Sequence, residues 1–211
     1  MTAIDLASYA GLAAMTLLTV NLLIGLLMGI KYNPVRSWPH RRISTFQLHN
    51  WTAYVALAVA LIHPVILLFA DRVRFSLIDL LYPLNGPKQQ TINTLGALAL
   101  YLLIVVVITS YLRRSIGRRW WKRLHFTAYA MAPLFYAHGI LTDPELRDGG
   151  FTPDFLDGEK LYVEVCLLLV LVAVGLRIRH HWLEPHHAHH RPKPALRPAR
   201  SRRTAPLGSR W

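Results

Sequence analysis

The stretch FQLHNWTAYVALAVALIHPVILLFA, from Phe46 to Ala70, decides the reading of this chain. It holds no Lys, Arg, Asp or Glu. It is long enough to cross the ~30 Å hydrocarbon core of a bilayer, which takes about 20 apolar residues in a helix. Two histidines, His49 and His63, nevertheless interrupt it. A polar, ionisable group inside such a span is expensive and marks function by default, so both histidines call for partners elsewhere in the chain.

Four further apolar runs stand on either side, at Leu6 to Ile30, Ile92 to Leu112, Leu124 to Leu141 and Leu161 to Ile178. The first has Asp5 in place of a basic leader region and is read as a helix rather than a cleaved signal. The expected fold is therefore an all-α membrane protein, a bundle of five transmembrane helices over residues 1–179. Composition agrees: 53% of the 211 residues are hydrophobic, only 17% are charged, and the mean hydropathy is +0.29, which argues against an ordinary soluble enzyme. A net charge of +13 suggests nucleic acid until the Lys and Arg are placed. Before and between the five runs they number none, four, three, six and two in turn, and nine follow Leu176. This alternation sets the N-terminus outside and the C-terminus in the cytoplasm of a multi-pass protein of the inner, or plasma, membrane. No nucleic-acid partner is expected.

Residues 180–211 turn to His, Pro, Arg and Ala without apolar periodicity. They read as a disordered basic tail that touches anionic lipid, and its histidines have no fixed geometry for a metal. Cys166 is the single cysteine, which excludes an internal disulfide, a CxxC pair, a zinc ribbon and CxxCH haem attachment. The absence of GxGxxG, Walker and HExxH patterns leaves no flavin or NAD(P)H site expected within this chain.

Two more histidines, His125 and His138, lie in the fourth run. His49 and His63 are 14 residues apart, which puts them ~21 Å apart along a helix and within ~40° of one face. His125 and His138, 13 apart, have a similar rise but an angular mismatch of ~140° in an ideal helix. Either Pro133 kinks or rewinds that helix, or its two histidines approach their partners from different sides. The second and fourth runs travel in the same direction, so His49 matches His125 at the cytoplasmic level and His63 matches His138 at the external level. Two bis-histidine sites stacked across a membrane suggest haem. Zinc needs more protein ligands than two, whereas a porphyrin supplies four nitrogens of its own. Thr16, Thr19 and Asn21 of the first run read as interhelical hydrogen-bond partners.

These residues resemble a known family, the ferric-reductase-like transmembrane domain of membrane ferric reductases, NADPH oxidases and the haem-binding membrane subunit of the periplasmic methionine sulfoxide reductase. The likeness runs from about Phe46 to Leu141. It rests on His49 and His63 with Pro64 following, on Thr109-Ser110-Tyr111-Leu112-Arg113-Arg114 closing the third run, and on Arg118-Arg119-Trp120-Trp121-Lys122-Arg123-Leu124-His125 leading into the fourth. The family's cores commonly have six helices where five are counted here. The resemblance implies two b-type haems, His49/His125 inner and His63/His138 outer, in an electron-transfer component of an oxidoreductase. The separate partners it implies are a donor, either a flavoprotein or quinol, and an external acceptor protein or small molecule. A quinone-linked cytochrome b is the alternative, and a metal-handling membrane protein a more distant one. Haem propionates are anionic, so Arg41, Arg42 and Arg123 on the cytoplasmic side and Arg72 or Arg74 on the external side are candidates to pair with them.

Overall fold

The computed structural model describes residues 2–30, 44–71, 73–143 and 158–188, with side-chain surroundings through residue 182. Eight α-helices occur in this part of the chain: α1 (Ala3–Gly29), α2 (Thr45–Ile66), α3 (Leu77–Leu81), α4 (Gln90–Tyr111), α5 (Arg113–Ile116), α6 (Arg118–His125), α7 (Ala128–Leu141) and α8 (Gly158–Ala188). The described residues contain no strand. Leu, Ala, Ile and Val fill the long helices, and polar residues mark their starts. Thr2 with Asp5 and Ser44 with Gln47 form reciprocal caps that satisfy the first free N–H groups of α1 and α2.

Four stretches are long and apolar enough to cross a membrane: Ala3–Gly29, Thr45–Phe69, Gln90–Tyr111 and Gly158–Trp182. The expected fourth span, Leu124 to Leu141, is instead divided between α6 and α7. Phe126 and Thr127 join the two with ψ of −12° and −14°. Across the join, the N–H groups of Thr127, Tyr129 and Ala130 each bond to a carbonyl three residues back, at 3.0–3.1 Å. That is the tighter 3-10 pattern, which advances about 120° per residue in place of 100°. The rewinding thus falls at Phe126–Thr127, while Pro133 lies inside α7. With 14 residues α7 is only ~21 Å long by itself. At the other end of the chain, α8 continues to Ala188, past the tail boundary expected at residue 180.

α1 packs along α2, α4 packs along α7, and α8 closes the bundle against α1 and α7. The core gathers Met15, Leu18, Ala56, Leu103, Met131, Phe135, Tyr136, Val163 and Cys166. Large apolar side chains also cover the outside, Trp51, Ile62, Phe69 and Leu168 among them. An apolar exterior around an apolar core suits hydrocarbon as the surrounding solvent.

Polar side chains stitch the helices together. Thr16 and Tyr162 share a hydrogen bond of 2.6 Å between α1 and α8, and Thr19 and Tyr136 share one of 2.8 Å between α1 and α7. Asn21 donates to the His49 carbonyl at 2.6 Å and to Thr52 Oγ1 at 2.7 Å. The three polar residues of α1 thus take the interhelical role expected of them. At one end of the bundle the Gln89 carboxamide bonds both the carbonyl and the N–H of Asp143, at 3.0 and 3.2 Å, which ties the start of α4 to the end of α7. At the other end Gly117, with φ 79° and ψ 154°, turns the chain from α5 into α6 in a region that only glycine enters freely.

Candidate functional site

Each of the four histidines His49, His63, His125 and His138 has a partner ring on another helix. His49 and His125 have ring centres 6.2 Å apart at 75°, and His63 and His138 have centres 6.4 Å apart at 70°. Two imidazoles bound in trans to one ion, with metal–nitrogen bonds of ~2 Å and ~1.1 Å from nitrogen to ring centre, have centres ~6.3 Å apart. Both pairs match that separation.

The outward nitrogen of each ring is already committed. His63 Nδ1 lies 2.8 Å from the Ala7 carbonyl, His138 Nδ1 2.9 Å from the Ile92 carbonyl, and His49 Nδ1 3.2 Å from the Asn21 carbonyl. His125 Nδ1 lies 3.2 Å from Ser110 Oγ. A carbonyl can only accept, so in the first three rings Nδ1 carries the proton and Nε2 keeps its lone pair free for a ligand. An imidazole held from behind in this way has its orientation fixed and its basicity raised, which is the usual arrangement behind a metal-bound histidine.

The carbonyls are reachable because glycine stands one turn further along the same helix. A helical side chain leans toward the N-terminus and covers the turn before it. Gly11 follows Ala7 by four residues, Gly25 follows Asn21 by four, and Gly96 follows Ile92 by four. A Cβ on these glycines would fall 3.1 Å from His63 Cε1, 3.2 Å from His49 Cε1 and 2.9 Å from His138 Cε1. Gly11 and Gly25 repeat the 14-residue interval of His63 and His49, in reverse order because the helices run antiparallel. Midway between the two levels, seven residues from each, stand Leu18, Ala56 and Leu103, all in the core together with Met131. A heptad drifts only ~20° on a straight helix, which gentle supercoiling absorbs, so the same faces meet at both levels.

A cavity of about 240 Å³ opens at the level of the second pair, lined by His63, His138, Gly11, Gly96, Phe135 and Lys160 among others. Lys160, at the start of α8, is buried there. Arg74 is exposed and does not line this cavity. Arg123 is exposed as well, with its guanidinium 5.2 Å over the Trp120 ring. Arg41, Arg42 and Arg72 lie outside the described residues. No group of three or more His, Cys, Asp or Glu comes together among the described residues, so each pair offers two protein ligands and the remaining positions would come from the bound group. Two imidazole pairs at this separation, the His63–His138 pair beside a cavity lined mainly by apolar groups, suit the ligand set of a haem.

Sequence reasoning did not single out Gly11, Gly25, Gly96, Ser110 or Lys160 as parts of the site. The signal for the glycines was present in their spacing from one another, but it acquires meaning only when α1 is known to lie against α2 and α4 against α7.

Comparison with known families gives one match, to the ferric reductase like transmembrane component, over residues 10–136, more than half of the chain. The matched region takes in His49, His63 and His125 and ends just before His138. No curated protein and no solved structure matches the chain.

Proposed function

We propose a function from one premise: the chain belongs to the ferric reductase-like transmembrane family. In this reading it is a membrane electron-transfer component with two b-type haems, one between His49 and His125 and one between His63 and His138. The observation that carries it is the two pairs of neighbouring imidazoles, with ring centres 6.2 and 6.4 Å apart, each ring tethered through Nδ1 so that Nε2 is left for a ligand. Bound between His49 and His125 and between His63 and His138, haem would supply one-electron transfer.

The chain's own part is to hold the ligands and exclude water. α1 and α4 supply the carbonyls and glycines behind the rings, α2 and α7 supply the rings, and the layer of Leu18, Ala56, Leu103 and Met131 keeps the interval between the levels dry. Lys160 at the outer cavity is the cation placed to meet an anionic propionate, and Arg41 and Arg42 remain the proposed cations of the inner side. For the chain to end on the side opposite its start, α6 and α7 together make the fifth crossing, with the N-terminus outside by the distribution of Lys and Arg. A flavoprotein or quinol then delivers electrons on the cytoplasmic side, and an acceptor takes them outside.

Replacing the ligands level by level tests this reading. His63→Ala and His138→Ala are each expected to remove one haem and leave the other, and His49→Ala to remove the complementary one. Full haem content in all three variants would overturn the assignment.

A further inference from the structure

Three of the four rings rest on a backbone carbonyl followed one turn later by glycine, and His125 breaks the pattern. Fourteen residues after Gly96 on α4, where a glycine would complete the set, stands Ser110. Its Oγ meets His125 Nδ1 at 3.2 Å and accepts the Trp121 indole N–H at 3.4 Å. The Trp121 ring is stacked on His125, with centres 5.3 Å apart and planes 27° apart.

We infer that Ser110, shared with Trp121, is a positioning residue that makes His125 the weakest electron donor of the four ligands, and so sets the inner haem's potential apart from the outer one's. The inference rests on the haem reading above. When Nε2 binds the iron, Nδ1 must carry the ring proton and donate it, so Ser110 acts as acceptor. The stronger that acceptor, the more electron density reaches the iron, and the more the oxidised state is favoured. A hydroxyl oxygen that also accepts from an indole N–H divides its lone pairs between two donors. The carbonyls behind His49, His63 and His138 each accept a helical N–H as well, but they belong to peptide groups, whose oxygens are stronger acceptors than a hydroxyl.

Three variants give opposed expectations. Ser110→Gly clears the approach to the carbonyl of Val106, one turn back, which Thr109 Oγ1 meets only at 3.3 Å, as Gly96 opens that of Ile92, and the inner haem's midpoint potential is expected to fall. Trp121→Phe keeps a stacked ring but removes the competing N–H, and the same potential is expected to fall. Ser110→Ala leaves Nδ1 with no acceptor, and the potential is expected to rise. The measurement is an optical redox titration of full-length protein in detergent with haem content quantified, the inner component being identified as the one lost in His49→Ala. In all three variants the outer component should stay in place. Parent-level haem with an unmoved inner potential, or a shift of one sign in all three, would overturn the inference and leave the haem assignment standing. A parent protein without haem would overturn both. If Ser110→Gly fails to assemble, the opposite signs expected for Ser110→Ala and Trp121→Phe still decide the matter.

Discussion

The His138 ring lies so close to Gly96 that a Cβ on that glycine would fall 2.9 Å from Cε1, Nδ1 and Nε2 alike. Real Cβ atoms do not approach so closely, and the ring cannot retreat without breaking its 2.9 Å bond to the Ile92 carbonyl. Gly96→Ala is therefore expected to lower outer haem content several-fold while the inner haem is retained. Gly25→Ala, where the nearest His49 atom is 3.2 Å away, is expected to be milder. Pyridine haemochrome assay of the two variants checks the order.

Asn21 makes a sharper separation between ligand and scaffold. Its carboxamide donates to the His49 carbonyl and to Thr52 Oγ1, and its own carbonyl receives His49 Nδ1. Asn21→Ala removes the two side-chain bonds but keeps the carbonyl. At roughly 0.6 kcal/mol for an average interhelical bond within a membrane, the loss is about 1 kcal/mol. The expected outcome is a lower thermal midpoint with both haems still present; loss of the inner haem at full stability would contradict it.

Gly117 occupies φ 79° and ψ 154°, a region closed to other residues. Gly117→Ala is expected to cost about 1–3 kcal/mol. Because this turn delivers α6 and His125, the destabilised protein should lose inner haem on warming before outer haem, which a temperature series of difference spectra would show.

Outside the spans, Asp79 caps α3 by accepting from the Ser76 N–H at 2.8 Å and hydroxyl at 2.7 Å, and these bonds hold its carboxyl below the usual carboxylate range. A depressed value in the folded state means that the cap's contribution is full above the ordinary carboxylate range and is lost as pH falls through the lowered value. Hydrogen-exchange protection in residues 77–81, the observed rate set against the intrinsic rate at each pH, should therefore stay constant from neutral pH down to ~4, near the reference value for Asp, and be lost only below it. Ser76→Ala is expected to lower it at neutral pH.

Much of the architecture could be read from apolar run length and from four histidines at intervals of 14 and 13 residues. The facing pairs follow from those intervals because two helices running the same way bring equal depths together. The break at Phe126–Thr127 was illegible for a physical reason: it contains neither Gly nor Pro, and the visible breaker, Pro133, continues in helix. The glycine cradle was hidden differently. Glycine is ordinary in membrane helices, and Gly11, Gly25 and Gly96 become significant only through rings supplied by other helices. Lys160 read as a loop charge because its burial depends on how α8 meets the outer cavity.

Lys160 and Arg74 offer a direct contrast between a cation that lines the cavity and one that does not. Lys160→Gln is expected to weaken retention of the outer haem during detergent washing, with Arg74→Gln closer to the parent. Equal loss in both would assign the propionate contact to neither alone.

The most direct measurement is the reduced-minus-oxidised spectrum of the purified protein together with pyridine haemochrome quantification per chain. Two b-type haems per chain are expected, falling to one in His63→Ala and in His49→Ala. A parent protein that binds no haem under conditions where it remains folded would contradict the central claim and return the four histidines to structural roles.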